Sequence, residues 1–163
     1  MKSAVWMILL VVGWSACQSK KERYLASIES MPSFEVLKLD STTIVEANDI
    51  PEGRPSLIVY FRPDCPHCKA ETENLLRDAG KFADFNFVFL TGSALSNAKA
   101  FATTYHFEKY RNIVIGKDYN HSFAQRFEPE AVPFTALYSQ KKTLIALYKG
   151  EITSEQILSA IHE

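Results

Sequence analysis

The fold is decided by the stretch SLIVYFRPDCPHC, residues 56–68, and by the pattern that follows it. Residues 56–61 form a continuous apolar run, which is typical of a central strand covered on both faces. After Cys65 the apolar spacing becomes helical, with side chains between Leu75 and Phe82 spaced to face inward. A buried strand therefore leads directly into a helix, and the first turn of that helix carries both Cys65 and Cys68.

Outward from this stretch, strand and helix patterns alternate along the chain. Strands are predicted over 34–39, 42–45, 85–90, 112–115, 133–138 and 143–148, and helices over 93–105, 120–127 and 154–161. This order predicts an α/β fold with a central mixed sheet and helices on both faces. It also predicts an N-terminal strand pair and an inserted strand and helix between Cys68 and Pro133.

Composition limits the class of protein. The chain has 163 residues, of which 47% are hydrophobic, and this is enough for one folded core. Its 18 Lys and Arg against 19 Asp and Glu give a net charge of -1, which argues against a nucleic-acid partner. Three cysteines are too few for a disulfide-stapled scaffold.

The N-terminus has the layout of an export signal. A short basic start, an apolar run over 4–14 and the small residues Ser15 and Ala16 come directly before Cys17. Eleven helical residues cover roughly 16 Å, about half of a bilayer core, so the run is too short to span. The ending resembles the lipobox of bacterial lipoproteins, which implies lipid modification of Cys17.

These features divide the chain into three predicted parts. They are a signal peptide over 1–16, a lipid-anchored polar tether over 17–31 and a folded domain over 32–163. We therefore expect an exported protein, anchored to a membrane and facing the periplasm or the cell exterior. Export also permits disulfide chemistry at the remaining cysteines.

The chemistry is concentrated in Cys65-Pro66-His67-Cys68. Two cysteines at this spacing have close sulfurs, and the helix start offers amide donors that favour the thiolate of Cys65. Cys68 would then resolve the mixed disulfide formed by Cys65. Pro66 suits the first helical turn, where a missing N–H leaves no hydrogen bond unmade. A protonated His67 would stabilise the Cys65 thiolate and so make the Cys65–Cys68 dithiol/disulfide couple more oxidising. Alternatively His67 faces solvent with little effect, or the pair is half of a zinc site, although no second ligand pair stands elsewhere.

A family resemblance joins these residues to a later segment. The strand, the C-P-H-C turn, the helix and Ala131-Val132-Pro133-Phe134 opening a strand resemble the thioredoxin superfamily. The resemblance implies a thioredoxin-like fold, a cis peptide bond at Pro133, and docking of an extended substrate against Val132. The 64 residues between Cys68 and Pro133, with the exported N-terminus and the strand pair, resemble the redoxin or TlpA-like thiol-disulfide oxidoreductases.

Two positions depart from that family pattern. Asp64 replaces the tryptophan that precedes the first cysteine in many relatives, and its charge would oppose a thiolate. Val59 stands where thioredoxin has a buried acid that relays protons. Another acid must then take the proton of Cys68, and the candidates, which the sequence does not rank, are Glu71, Glu128 and Glu130.

The predicted function is thiol-disulfide exchange with extracytoplasmic proteins, with Cys65 as nucleophile and Cys68 as resolving thiol. The TlpA-like framework favours a reductant, whereas His67 favours a disulfide-forming oxidase or isomerase. A different alternative is a copper carrier that binds Cu(I) through both cysteines and a histidine. The expected partners are proteins with cysteines or disulfides, an upstream thiol donor and, through the anchor, a membrane, while the dithiol itself serves in place of a cofactor.

Overall fold

A computed structural model describes residues 20–162, and its centre is a seven-stranded mixed sheet in the order β2-β1-β5-β4-β3-β6-β7. The strands are β1 Glu35–Lys38, β2 Ile44–Glu46, β3 Ser56–Tyr60, β4 Asn86–Thr91, β5 Ile113–Lys117, β6 Phe134–Tyr138 and β7 Leu144–Lys149. β3, β4 and β5 are parallel, and the outer strands join them antiparallel. The predicted mixed α/β fold is confirmed, including the pair β1 and β2.

Five helices cover the sheet. They are α1 over 20–29, α2 Pro66–Arg77, α3 Leu95–Thr104, α4 Ser122–Phe127 and α5 Ser154–His162. Between Cys68 and Pro133, β5 and α4 are the inserted strand and helix that the order of sequence patterns predicted.

The apolar run of β3 is buried because its alternate side chains enter two different cores. Leu57 and Val59 pack in a cluster with residues of α2, α3 and α5, while Ile58 packs in a second cluster with residues of α1 and α4. All three side chains are at most 2% exposed. A strand with both faces covered reads as a continuous apolar run, as the sequence indicated.

The segment predicted as a polar tether is instead largely helical. Within α1, Ile28 is fully buried and the Tyr24 hydroxyl donates to the carbonyl of Phe127 at 3.0 Å. Only these two large side chains, four residues apart, face the core, so the polar composition concealed the helix. The folded region therefore begins before Pro32, whereas the predicted signal peptide, its cleavage and the lipid modification of Cys17 fall outside the described residues.

α1 runs along the sheet away from the edge where β3 ends and towards the edge where β3 begins. At its far end, Ser30 forms an isolated β-bridge with Thr143, next to the turn between β6 and β7. At its start, Tyr24 reaches Phe127, the last residue of α4. No helix among residues 20–162 has the length and apolar character needed to cross a bilayer.

Strand pairing brings two distant parts of the chain together at the edge where β3 ends. Tyr60, the last residue of β3, pairs with Phe134, the first residue of β6. The turn after β3 carries Cys65, and the residues before β6 are Val132 and Pro133. Neighbouring antiparallel strands thus place the turn that carries Cys65, here called the cysteine turn, beside the loop that carries Val132 and Pro133, here called the proline loop.

Candidate active site

The turn after β3 delivers Cys65 to the start of α2. Its backbone is extended, with φ -75° and ψ 122°, and its N–H donates to the carbonyl of Arg62 at 3.1 Å. Pro66 occupies the beginning of α2, where a missing N–H leaves no helical hydrogen bond unmade. Cys65 is therefore the N-cap of the helix, at the positive end of its dipole.

The two cysteines are free thiols with different surroundings. Cys65 is partly exposed, whereas Cys68 is only 1% exposed, one helical turn deeper in the core. Burial raises the pKa of the Cys68 thiol to about 12 because a thiolate there would lose its hydration. The accessible Cys65 is thus suited to attack, and Cys68 to react only from inside the protein.

Val132 and Pro133 lie directly against the first cysteine. The Val132–Pro133 peptide bond is cis, the conformation that the family resemblance implies. The thiol of Cys65 donates to the carbonyl oxygen of Val132 at 3.7 Å, a distance compatible with a weak sulfur hydrogen bond. Four of the predicted site residues, Cys65, Cys68, Val132 and Pro133, therefore come together at one place.

A buried acid lies behind the pair. Glu71 is 1% exposed and accepts hydrogen bonds from the Thr135 hydroxyl at 3.0 Å and the Ile152 N–H at 3.2 Å. It stands three residues after Cys68 on α2, so the two side chains share one face of the helix. Burial raises the pKa of Glu71 to about 7, since the two hydrogen bonds offset the loss of hydration only in part.

Geometry separates the three acids that the sequence could not rank. Glu130 is exposed and pairs with Lys149 at 2.8 Å, and Glu128 is exposed after the end of α4. Only Glu71, of these three, lies inside the core with Cys68. The i, i+3 spacing from Cys68 was the sequence signal that could have selected it.

The charge of Asp64 is balanced by a neighbour. Arg62 donates to both oxygens of the Asp64 carboxylate, from Nε at 3.2 Å and from Nη2 at 2.8 Å. These hydrogen bonds lower the pKa of Asp64, so it stays ionised as part of an ion pair. The expected opposition of Asp64 to a thiolate at Cys65 is thereby reduced.

His67 points to a residue that sequence reasoning did not single out. Its side chain is 74% exposed, and Nδ1 lies 3.4 Å from Oε2 of Glu151, which follows β7. Residues far apart in the sequence carry no pattern that could have predicted this contact. Among residues 20–162, no group of three or more His, Cys, Asp or Glu side chains is arranged to hold a metal ion.

Two open clefts lie beside the turn that carries Cys65. One has a volume of about 460 Å³ and is lined by residues that include Asp64, Lys69 and Tyr105. The other, of about 440 Å³, is lined by residues that include Arg62, Glu130 and Val132. Each cleft therefore borders a direct neighbour of Cys65, which is Asp64 in the first and Val132 in the second.

Comparison with known proteins identifies the fold. No family model matches the chain, and no curated protein matches it either. A secreted disulfide oxidoreductase of Mycobacterium tuberculosis, described as homologous to E. coli DsbE, superposes with a TM-score of 0.65 at 17% identity, over 79% of this chain and 94% of that one. The fold is thioredoxin-like.

Two further solved structures agree with this assignment. The thioredoxin domain of a thiol-disulfide oxidoreductase from Bacteroides vulgatus gives a TM-score of 0.63 at 18% identity, over 81% of this chain and 92% of that domain. StoA from Bacillus subtilis gives 0.60 at 15% identity, over 81% of this chain and 98% of that one. At these identities the similarity shows the shared fold.

Proposed function

We propose that this protein is a thiol-disulfide oxidoreductase that exchanges disulfides with extracytoplasmic proteins. The observation that carries the proposal is the placement of Cys65 at a helix start, 3.7 Å from the Val132 carbonyl, with Cys68 buried behind it. An exposed nucleophile, a protected resolving thiol and an open backbone for docking are the parts that exchange requires. The solved structures with this fold include proteins described as disulfide oxidoreductases.

The exchange passes through a mixed disulfide. The Cys65 thiolate attacks one sulfur of a client disulfide, a bond forms between them, and the other client sulfur leaves as a thiolate. Cys68 then loses its proton and attacks Cys65, so that the Cys65–Cys68 disulfide forms and the second client sulfur is released. Two electrons pass to the client, and an upstream dithiol must supply them again.

Glu71 is suited to accept the proton of Cys68 in the second step. A thiol whose pKa is raised to about 12 needs a nearby base to react at neutral pH. Glu71, with its pKa raised to about 7, can both take and return a proton there. Glu71 would thus act as the proton-relaying acid, because Val59 on β3 occupies the position where thioredoxin has one.

Reduction of client disulfides is the direction we propose. The C-P-H-C sequence would favour an oxidant if a charged His67 stood alone beside Cys65, yet here His67 contacts the carboxylate of Glu151.

We also propose that the protein is exported and lipid-anchored at Cys17. The described part of α1 starts at residue 20, three residues after Cys17, and its Tyr24 contacts Phe127, which packs on Phe134 at the edge that carries Cys65, so the anchor would hold that edge near the membrane.

Single-cysteine variants test the exchange. The full chain carrying Cys17→Ser would be assayed in mild detergent for reduction of a protein disulfide, with Cys65→Ser and Cys68→Ser added separately. Cys65→Ser should lose exchange altogether because no accessible nucleophile remains. Cys68→Ser should instead accumulate a mixed disulfide with the client, seen by non-reducing electrophoresis and mass, because nothing resolves it.

The two variants control each other, since each removes one sulfur from the same turn. Retention of full activity by Cys65→Ser would overturn the proposed function. So would equal trapping of client by both variants, because the roles of the two cysteines would then not differ.

A further inference from the structure

We propose that Glu151 is a positioning residue that restrains His67 and so makes the Cys65–Cys68 pair less oxidising. This inference rests on the proposed function, because it concerns the reduction potential of that same pair of cysteines. Its basis is a short segment at the end of β7, residues 149–152, which contacts the loop before β6, the buried Glu71 and His67.

The contacts of this segment follow one another along the backbone. Lys149 Nζ lies 2.8 Å from the Glu130 carboxylate on the loop before Pro133. The Gly150 N–H donates to the Pro133 carbonyl at 2.8 Å, and the Ile152 N–H donates to Glu71 at 3.2 Å. Residues on either side of Glu151 are thus fixed to the proline loop and to the buried acid.

Glu151 is thereby held at a defined position beside α2. Its Oε2 lies 3.4 Å from Nδ1 of His67, two residues after Cys65. Because neighbouring backbone groups are hydrogen-bonded to the site, the carboxylate sits on a rigid support. An imidazole that contacts this carboxylate is held towards β7 and is less free to turn towards the sulfur of Cys65.

The charges around the turn determine which way this restraint acts. An imidazolium near Cys65 stabilises the thiolate of the reduced form, and a more stable reduced form makes the couple more oxidising. The other charged pair at the turn, Arg62 with Asp64, is already internally balanced. His67 is therefore the residue that could raise the reduction potential of the Cys65–Cys68 pair, and Glu151 opposes this effect by holding the imidazole away from Cys65.

The alternative is an exposed ion pair without consequence. Surface pairs of this kind are weak, and their effect on an equilibrium is about fivefold at most. An effect of this size is nevertheless measurable, because exchange equilibria with glutathione report directly on the two cysteines.

The test is an equilibration in graded glutathione buffers, scored by alkylation and mass. The full chain with Cys17→Ser serves as the parent, and Glu151→Gln, His67→Gln and the double variant are compared with it. Glu155→Gln is the matched control, since Glu155 is an exposed acid four residues along the chain whose nearest ion-pair partner is Lys81 at 3.8 Å.

We expect Glu151→Gln to shift the equilibrium about two- to fivefold towards the dithiol, because the freed imidazole can approach the thiolate. Glu155→Gln should leave it unchanged. In the presence of His67→Gln, the further change Glu151→Gln should have less than about half of its effect, since no imidazole remains to be released.

Three outcomes would overturn the inference. They are no difference between Glu151→Gln and Glu155→Gln, a shift towards the disulfide, or the same shift with and without His67. The proposed function survives each of these, because the parent still cycles between dithiol and disulfide. A parent that formed no Cys65–Cys68 disulfide at any poise would overturn both.

Discussion

Two fully buried carboxylates lie on opposite sides of the sheet, and their surroundings differ. Asp118, after β5, accepts hydrogen bonds from the N–H groups of Phe123 and Ala124 at 3.1 and 2.9 Å, all within the first turn of α4. Glu71 accepts from Thr135 on β6 and from Ile152, which precedes α5, so its partners come from two other elements.

The comparison separates an acid that caps a helix from the acid that we propose takes part in the exchange. Asp118 accepts hydrogen bonds from the free N–H groups at the start of α4 and therefore caps that helix. Glu71 stands one turn from the buried thiol of Cys68, and burial raises its pKa to about 7. Burial alone does not identify a reactive carboxylate, and the groups around it decide its role.

The largest expected effect concerns the pH dependence of stability. With its pKa at about 7 in the folded chain and near 4.5 when unfolded, Glu71 keeps a proton after folding that the unfolded chain has lost in this window. The free energy of unfolding should therefore fall as pH rises from about 4.5 through 7, by about 3 kcal/mol in total.

Urea denaturation at pH 5 and pH 8 measures this change. Glu71→Gln should lose this part of the pH dependence and should be more stable than the parent at pH 8, whereas the control Glu155→Gln should follow the parent. If the stability of Glu71→Gln had the same pH dependence as that of the parent, Glu71 would have an ordinary pKa, and the contrast with Asp118 would be lost.

A smaller effect, on stability alone, is expected at the second carboxylate. Asp118→Ala leaves two N–H groups of α4 without their acceptor and should lower the free energy of unfolding by about 2 kcal/mol. Its glutathione equilibrium should stay unchanged, because α4 lies on the other face of the sheet from Cys68.

Asp118→Asn is the conservative control and should recover part of the stability, since one oxygen still accepts. A shift of the glutathione equilibrium in Asp118→Ala would contradict the assignment of a purely structural role.

The smallest expected effect tests the proposed role of Glu71 as the proton acceptor for Cys68. Thr135→Val removes one hydrogen bond that favours the carboxylate, so the pKa of Glu71 should rise further, by less than about one pH unit. The pH profile of disulfide exchange should move upward by the same amount. Thr135→Ser keeps a hydroxyl and should leave the profile in place, and identical profiles in all three proteins would exclude Glu71 from the exchange step.

Much of this molecule could be predicted from local patterns. Every strand and helix from β1 onward was expected within a few residues of its observed bounds, because apolar alternation and helical spacing are local properties. The cysteine turn was recognisable because its chemistry lies within four consecutive residues. α1 was missed because only Tyr24 and Ile28 mark its buried face.

Partners across the fold could not be predicted in the same way. The i, i+3 spacing from Cys68 pointed to Glu71 among the three acids, but only the packed structure showed that the core encloses its side chain. The contact of His67 with Glu151 joins residues 84 positions apart, and no sequence pattern links them.

The sequence by itself determined the order of elements from β1 onward and the position of the Cys65–Cys68 pair at the start of a helix. These follow from side-chain spacing and from the chemistry of residue types. Tertiary structure decided which acid is buried with Cys68, that Arg62 balances Asp64, and that Glu151 faces His67. The reason is physical: burial and electrostatic interaction depend on distances in space, and only the packed sheet and helices set those distances.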